Sequence, residues 1–488
     1  MAEDRGGAFR VAAWTPALIL VYFAAHALFR AGISPYLERD EAEFIGQTGF
    51  RLGFENSHPP LYNWLLTLAL VLTAGKWASA LAIVKNGLLA GTYLLGFDML
   101  RRLTGRTAAG LVLVAAFLLL PQIVWKSQIT LAHSVLVLFG TVATLHALVI
   151  CMRNGTAAGF VWLGAALSVA LLSKYNFFFT LAALGAAIFW VPDVRARIVQ
   201  SRLWLSGLVA VLLTGPHFAW AVMHWQSTTK RLGKLDTETV ASALPIDVPG
   251  LGIDGALSVL TGSAVSLALL VAVIAAAARW SRLRGEVSVA DPPDVQPFAR
   301  FLLISGIVGL LGLAIFALLG DYHGIQERYL TPVLLPFVVW LCLRSRVSAR
   351  PGATKIVASA GAITALIASV LLIGSVLLGR DQLAFPYRAI AEKLGPLNGA
   401  TAVFSRQEKY GANLSLLLPG LEIWRGGTGP DRVLVLLPKG EPLSAPGGEP
   451  LPFERLYQPA GQPIEITAAY ENWSGAAATI LAVTYQRR

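Results

Sequence analysis

The feature that most constrains this chain is a recurrence: apolar runs of helical length return between residues 14 and 378, parted by short loops that carry Arg and Lys. Crossing a hydrocarbon core takes roughly 20 apolar residues as a helix, and backbone groups inside that core find no water to bond. The recurrence therefore predicts a polytopic α-helical membrane protein. Its eleven spans are expected near 11–29, 80–100, 108–123, 131–152, 158–172, 177–191, 203–222, 256–278, 301–320, 330–343 and 356–379. Composition agrees, since 55% of the 488 residues are hydrophobic and only 14% are charged.

A net charge of +11 would suit a nucleic-acid partner, but the basic residues sit in short loops between spans. They are Arg101, Arg102 and Arg106; Arg153; Arg195, Arg197 and Arg202; Arg279, Arg282 and Arg284; and Arg344, Arg346, Arg350 and Lys355. They occupy every second loop, which the positive-inside rule reads as cytoplasmic, and no nucleic acid is expected. The same alternation decides residues 61–74. Counting that apolar stretch as a span would invert every later basic loop, so it is expected to lie in or dip into the outer interface. The N-terminus then falls in the cytoplasm and the C-terminal segment outside. Residues 1–29 also have the layout of a signal peptide, with Arg5 and Arg10 ahead of an apolar run ending in Ala-His-Ala. In a polytopic chain we read them as an uncleaved first span. Cys151 and Cys342 stand near span ends beside Arg153 and Arg344, and suggest neither a disulfide framework nor a metal site.

Beyond Leu378, Gly, Pro and charged residues become common and short β-rich runs appear: ATAVFS, LEIW, RVLVLLP, IEITAAY and ATILAVTY. Between them YRAIAEKL and KYGANLSLLL have helical spacing. The chain is thus expected to divide into a membrane part, 1–379, and a small α/β domain, 380–488, on the outer face.

Glu38, Arg39, Asp40, Glu41 and Glu43 crowd directly behind the first span, an expensive place for charge. The run DEAEFIGQTGFRL has helical periodicity, which predicts a surface helix with Asp40, Glu43 and Gln47 on one face and Phe44, Ile45, Thr48 and Leu52 on the next. HPPLYNWLL follows, with His58, a rigid Pro59-Pro60 entry and an interfacial Tyr62/Trp64 pair.

The acidic pair followed some twenty residues later by His-Pro-Pro-Leu-Tyr-x-Trp resembles the GT-C glycosyltransferases of the protein O-mannosyltransferase and lipid A aminoarabinose transferase type. Three later segments resemble further family elements in the same order: LLSKYNFFFTL with Lys174, GPHFAW from Gly215 to Trp220, and QERYLTPVLLPF from Gln326 to Phe337. The resemblance implies a GT-C fold of about eleven transmembrane helices with outer interfacial helices. It also implies an inverting transfer of a sugar from a polyprenyl-phosphate donor to an acceptor on the outer face of a bacterial inner membrane. Lipid A or lipopolysaccharide core is the favoured acceptor, and galacturonic acid or aminoarabinose the kind of sugar; protein and polysaccharide acceptors stay open.

Under that resemblance the catalytic carboxylates are Asp40, as general base, with Glu41 and Glu43 beside it, because an attacking hydroxyl must lose its proton. His58, Tyr62, His133, Lys174, Arg328 and Tyr329 are the substrate-binding candidates, the cations answering the leaving phosphate. Two positions depart from the family: His133 stands where relatives carry Asp, and Ser57 where the aminoarabinose enzymes carry Glu. No metal is expected to be obligatory. A divalent cation remains compatible with Asp40, Glu41, Glu43, His58 and His323, although these lack tight ligand spacing. Lys230, Arg231 and Lys234 offer charge to anionic lipid headgroups, though a solvated loop explains them equally well. The contrasting class is a lipid-linked sugar flippase or transporter, for which Lys85 and Asp98 are the charges to watch.

Overall fold

The computed structural model describes residues 4–54, 58–229, 252–379, 381–394, 399–425, 429–439 and 456–488; Ser57, Lys230, Arg231 and Lys234 lie outside them. Among these residues eight helices are long and apolar enough to cross a membrane, and ten if each of two bent pairs counts as one span. All eleven expected spans fall on helices, but three differ in form. Residues 158–172 form the helix Ala157–Leu171, whose 15 residues reach only about 22 Å. The pair Thr107–Leu118 and Gln122–Ile129 bends by 75°, and the pair Phe177–Trp190 and Pro192–Ile198 by 109°. Pro121 stands at the first bend and Pro192 opens the second helix of the other pair, each bringing no amide hydrogen to continue a helical ladder. The apolar stretch at 61–74 forms the helix Leu61–Leu72, at about 18 Å too short to span.

Contacts divide the chain into two compact units. The first comprises residues 1–27, 49–68 and 83–368; the second comprises 28–48, 69–82 and 369–488.

In the first unit small residues let helices close on one another, as lipid-embedded bundles require. A Cβ on Gly140 would lie 2.6 Å from the Ala170 backbone, and one on Gly164 2.6 Å from the Ser206 carbonyl. The basic loops gather at one end and tie to each other. Arg153 donates to the Arg102 carbonyl, Arg197 to the Met152 carbonyl, and Arg106 and Arg346 both pair with Asp291. Asp98 belongs to this end as well, paired with Arg101, Arg102 and His146. Cys151 and Cys342 are buried free thiols.

The second unit holds a six-stranded sheet: β1 (Ala402–Ser405), β2 (Glu422–Ile423), β3 (Arg432–Pro438), β4 (Tyr457–Pro459), β5 (Ile464–Ala469) and β6 (Ala477–Arg487). The order is β2-β1-β3-β6-β4, with β5 also on β6; β1 runs parallel to β2 and β3, and β6 antiparallel to β3, β4 and β5. Strand β3 is buried on both faces, so its sequence is continuously apolar rather than alternating. One face packs Leu434 and Leu436 against Tyr387, Ile390 and Leu414 of the helices Tyr387–Leu394 and Glu408–Leu417. The other packs Val433 and Val435 with Trp424, Tyr457, Val483 and Tyr485. Every expected strand and helix of this region is present; β4, three residues long, gave no sequence signal.

The surface helix expected from Asp40 to Leu52 does not form. Only Arg39–Ala42 is helical, and the chain turns away through Gly46 (φ +76) and Gly49 (φ +109), conformations that glycine alone adopts freely. Asp40, Glu43 and Gln47 therefore share no helical face, and Gln47 is buried.

Candidate active site

At the end of the first unit opposite the basic loops, residues far apart in sequence converge. Pro59 and Pro60 lead into the helix Leu61–Leu72, and the Leu61 amide donates 3.2 Å to the Leu172 carbonyl, fixing this entry beside the loop that carries Lys174. Tyr62 is wholly buried, His133 nearly so. The His58 ring lies 4.1 Å from the His133 ring, and Tyr62 lies 5.4 Å from it on the helix Leu61–Leu72. His133 opens the helix Ala132–Asn154 just after Leu131, which is held left-handed at φ +75. A branched residue in that region is strained, and such strain gathers where geometry serves a site.

Lys174 does not snorkel to water. It is 5% exposed, its ammonium donates 2.9 Å to Ser134 Oγ, and it stands 4.4 Å over the Tyr329 ring. The Arg328 guanidinium lies 5.3 Å from the same ring centroid. Two cations thus stand close to one aromatic ring, an arrangement that suits an anion. Asn176 donates 3.0 Å to the Tyr329 carbonyl, binding the Lys174 loop to the first turn of the helix Glu327–Arg344. Glu327, a sequence-adjacent partner for Arg328, pairs instead with Lys126 at 2.8 Å.

The GPHFAW segment supports this end. His217, 1% exposed, meets the Leu52 carbonyl at 2.6 Å and Tyr175 Oη at 3.2 Å, and the Trp220 ring fills the space where a side chain on Gly53 would lie. Only glycine passes there.

Sequence reasoning overlooked several members. Lys126 and Gln122 lie on a π-helical turn, Gln122–Lys126, a rare form often found at functional sites. Its one sequence trace is Pro121, which interrupts an otherwise apolar helix. Lys85 is buried on the helix Trp77–Thr104 and donates 3.3 Å to the Gln128 carbonyl, so it braces this turn rather than lining a transport path. Beside the turn opens a cleft of about 620 Å³, lined among others by Gln122, Lys126, Ser258, Thr261, Glu327 and Arg328.

Asp40, Glu41 and Glu43 lie in the second unit. Glu41 is 1% exposed and paired at 2.5 Å with Arg30, which also donates to the Ser34 and Tyr36 carbonyls. The Glu38 amide donates to the same Glu41 carboxylate, closing a capping box over the short helix. Asp40 and Glu43 remain half-buried. The segment is clamped by Asn413, whose amide accepts from Leu37 N–H at 2.8 Å and donates to Leu37 C=O at 3.0 Å. Tyr36 donates 2.9 Å to Glu471; burial, and then that carboxylate, push its phenol up to about 12, so it stays a donor. Among the described residues no three His, Cys, Asp or Glu side chains cluster closely enough to hold a metal ion.

Comparison with known proteins adds three findings. Residues 57–220 match the family described as dolichyl-phosphate-mannose-protein mannosyltransferase. Two curated relatives come from Rhizobium johnstonii. The lipopolysaccharide core galacturonosyltransferase RgtB is 28% identical over 90% of this chain and 89% of its own, and RgtA, of the same description, is 28% identical over 66% and 62%. The crystal structure of ArnT from Cupriavidus metallidurans bound to undecaprenyl phosphate superposes with a TM-score of 0.62 at 14% identity, covering 96% of this chain and 98% of that one. A mannosyltransferase-type domain, glycosyltransferase relatives along most of the length and this architecture make the chain a multi-pass membrane glycosyltransferase with the GT-C fold.

Proposed function

We propose that the enzyme transfers galacturonic acid from a polyprenyl-phosphate donor to lipopolysaccharide core, with inversion, on the outer face of the bacterial inner membrane. The names of the two Rhizobium relatives support the sugar and acceptor, and the ligand of the ArnT structure supports the lipid phosphate. The observation that carries the reading is the pair of cations, Lys174 and Arg328, set around the Tyr329 ring. A hydroxyl of the acceptor attacks the anomeric carbon, the bond from that carbon to the phosphate oxygen breaks, and the lipid phosphate leaves with the bonding electrons. Lys174 and Arg328 balance the charge it gains. Asp40 takes the hydroxyl proton, while Glu41, tied to Arg30, holds the short helix that presents it. Glu43 flanks Asp40, and His58, Tyr62 and His133 shape the wall beside the phosphate. The cations supply the positive charge the leaving group needs, so no metal is obligatory in this reaction. Basic loops gathered at one end support a cytoplasmic N-terminus; in this reading the chain divides into a membrane domain of 1–379 and a periplasmic α/β domain of 380–488.

The test is mass spectrometry of lipopolysaccharide from a deletion strain complemented with wild type or Asp40→Asn at equal expression. The expected result is loss of a hexuronic acid mass on deletion, restored by wild type alone. Full restoration by Asp40→Asn removes Asp40 as base, and an unchanged lipopolysaccharide removes the acceptor.

A further inference from the structure

Three observations in the 620 Å³ cleft go beyond the phosphate chemistry above. The first is Lys126, half-exposed at the cleft and held 2.8 Å from Glu327, its carboxylate partner across 201 residues of sequence. The second is Gln122 one helical turn away: the residue is 9% exposed, it lines the cleft, and its Oε1 is buried without a hydrogen-bond partner. A buried carbonyl oxygen left so is destabilising unless a ligand supplies a donor. The third is position. Glu327 and Arg328 both line the cleft, and Arg328 adjoins Tyr329, so the cleft begins where the phosphate cations end. Ser258 and Thr261 also line it.

We infer that this cleft seats the sugar of the donor and that Lys126 reads a carboxylate on it, exchanging Glu327 for the sugar acid while Gln122 accepts from a ring hydroxyl. The inference rests on the glycosyltransferase reading and adds the residue that selects a uronic over a neutral hexose. Glu327 keeps Lys126 in place while the cleft is empty. A neutral sugar cannot replace that carboxylate, so its binding leaves Lys126 where it was and forgoes the charge-assisted bond.

The experiment uses the purified full chain in lipid nanodiscs with polyprenyl-phosphate galacturonic acid as donor, core lipopolysaccharide lacking that sugar as acceptor, and polyprenyl-phosphate galactose as a competitor. Wild type is expected to bind the uronic donor more tightly than the galactose analogue. Lys126→Met should raise the uronic donor's KM by about 10- to 100-fold and move the analogue's inhibition constant by no more than about 2-fold. Glu327→Gln, which keeps the cation and removes its resting partner, should retain the preference. Equal weakening toward both lipids, or loss of the preference in Glu327→Gln, overturns the assignment and leaves the ion pair a structural brace. A raised KM for lipopolysaccharide alone overturns it too, placing the anion on the acceptor. Wild type that transfers no uronic acid defeats the functional reading itself, an outcome distinct from these.

Discussion

Lys174 is the residue on which the leaving-group chemistry turns. Its ammonium is buried against Ser134 and the Tyr329 ring, where charge is costly to hold, and an arriving phosphate offsets part of that cost. Lys174→Met keeps the volume and removes the charge. We expect kcat/KM to fall about 100-fold and the affinity for plain polyprenyl phosphate to fall at least 10-fold, read by lipid titration in nanodiscs. Unchanged lipid affinity would make Lys174 a structural residue. Its neighbourhood was legible in part. His58, Tyr62, Lys174, Arg328 and Tyr329 stand in segments whose order resembles the family, and they meet in the fold. Lys126 escaped because nothing in QIVWK announces a π turn, and its partner Glu327 lies 201 residues away. The left-handed Leu131 escaped for a similar reason: a leucine carries no sign of positive φ.

Elements were legible where one period dominated the local sequence. Every strand of the C-terminal sheet except the three-residue β4 declared itself by a short apolar, β-rich run, and the long apolar helices by composition. The stretch from Asp40 to Leu52 misled because its apolar spacing fits a helix while two glycines at positive φ make the chain turn. What holds that turn lies elsewhere in the second unit: Asn413 on the helix Glu408–Leu417, Glu471 before β6, and Arg425, which donates 2.7 Å to the Ile45 carbonyl. The small domain thus acts as the splint for the acidic segment. Asn413→Ala strips both backbone groups of Leu37 of their partners, a loss of about 1–3 kcal/mol confined to this clamp. Hydrogen exchange of amides 36–44 should accelerate about 10-fold or more while the long apolar helices keep their protection. Unaltered protection across 36–44 would show that the clamp is dispensable.

At the scale of the whole molecule, the rule that decided topology was electrostatic. Hydropathy alone would have counted residues 61–74 as a span, and only the alternation of Arg-rich loops argued against it; the helix found there is too short to cross. The same loops knit one end of the bundle through Asp291 and backbone carbonyls, so charge that directs insertion also fastens the folded end. Orientation follows as a prediction the native cysteines make easy to test. Cys151 and Cys342 are 0% and 1% exposed, leaving little background for a membrane-impermeant maleimide. Val287, 86% exposed in the loop that carries Asp291, and Trp473, 80% exposed in the C-terminal unit, each accept a single cysteine without disturbing a core. In intact spheroplasts Trp473→Cys should label and Val287→Cys should label only after lysis. The reverse pattern would put the basic end outside, move the acidic segment to the cytoplasm and end the case for transfer on the outer face. Labelling of both before lysis would instead put both positions on one side, which needs an even number of crossings and contradicts the three long helices, Val295–Leu319, Glu327–Arg344 and Pro351–Leu378, between residues 287 and 473.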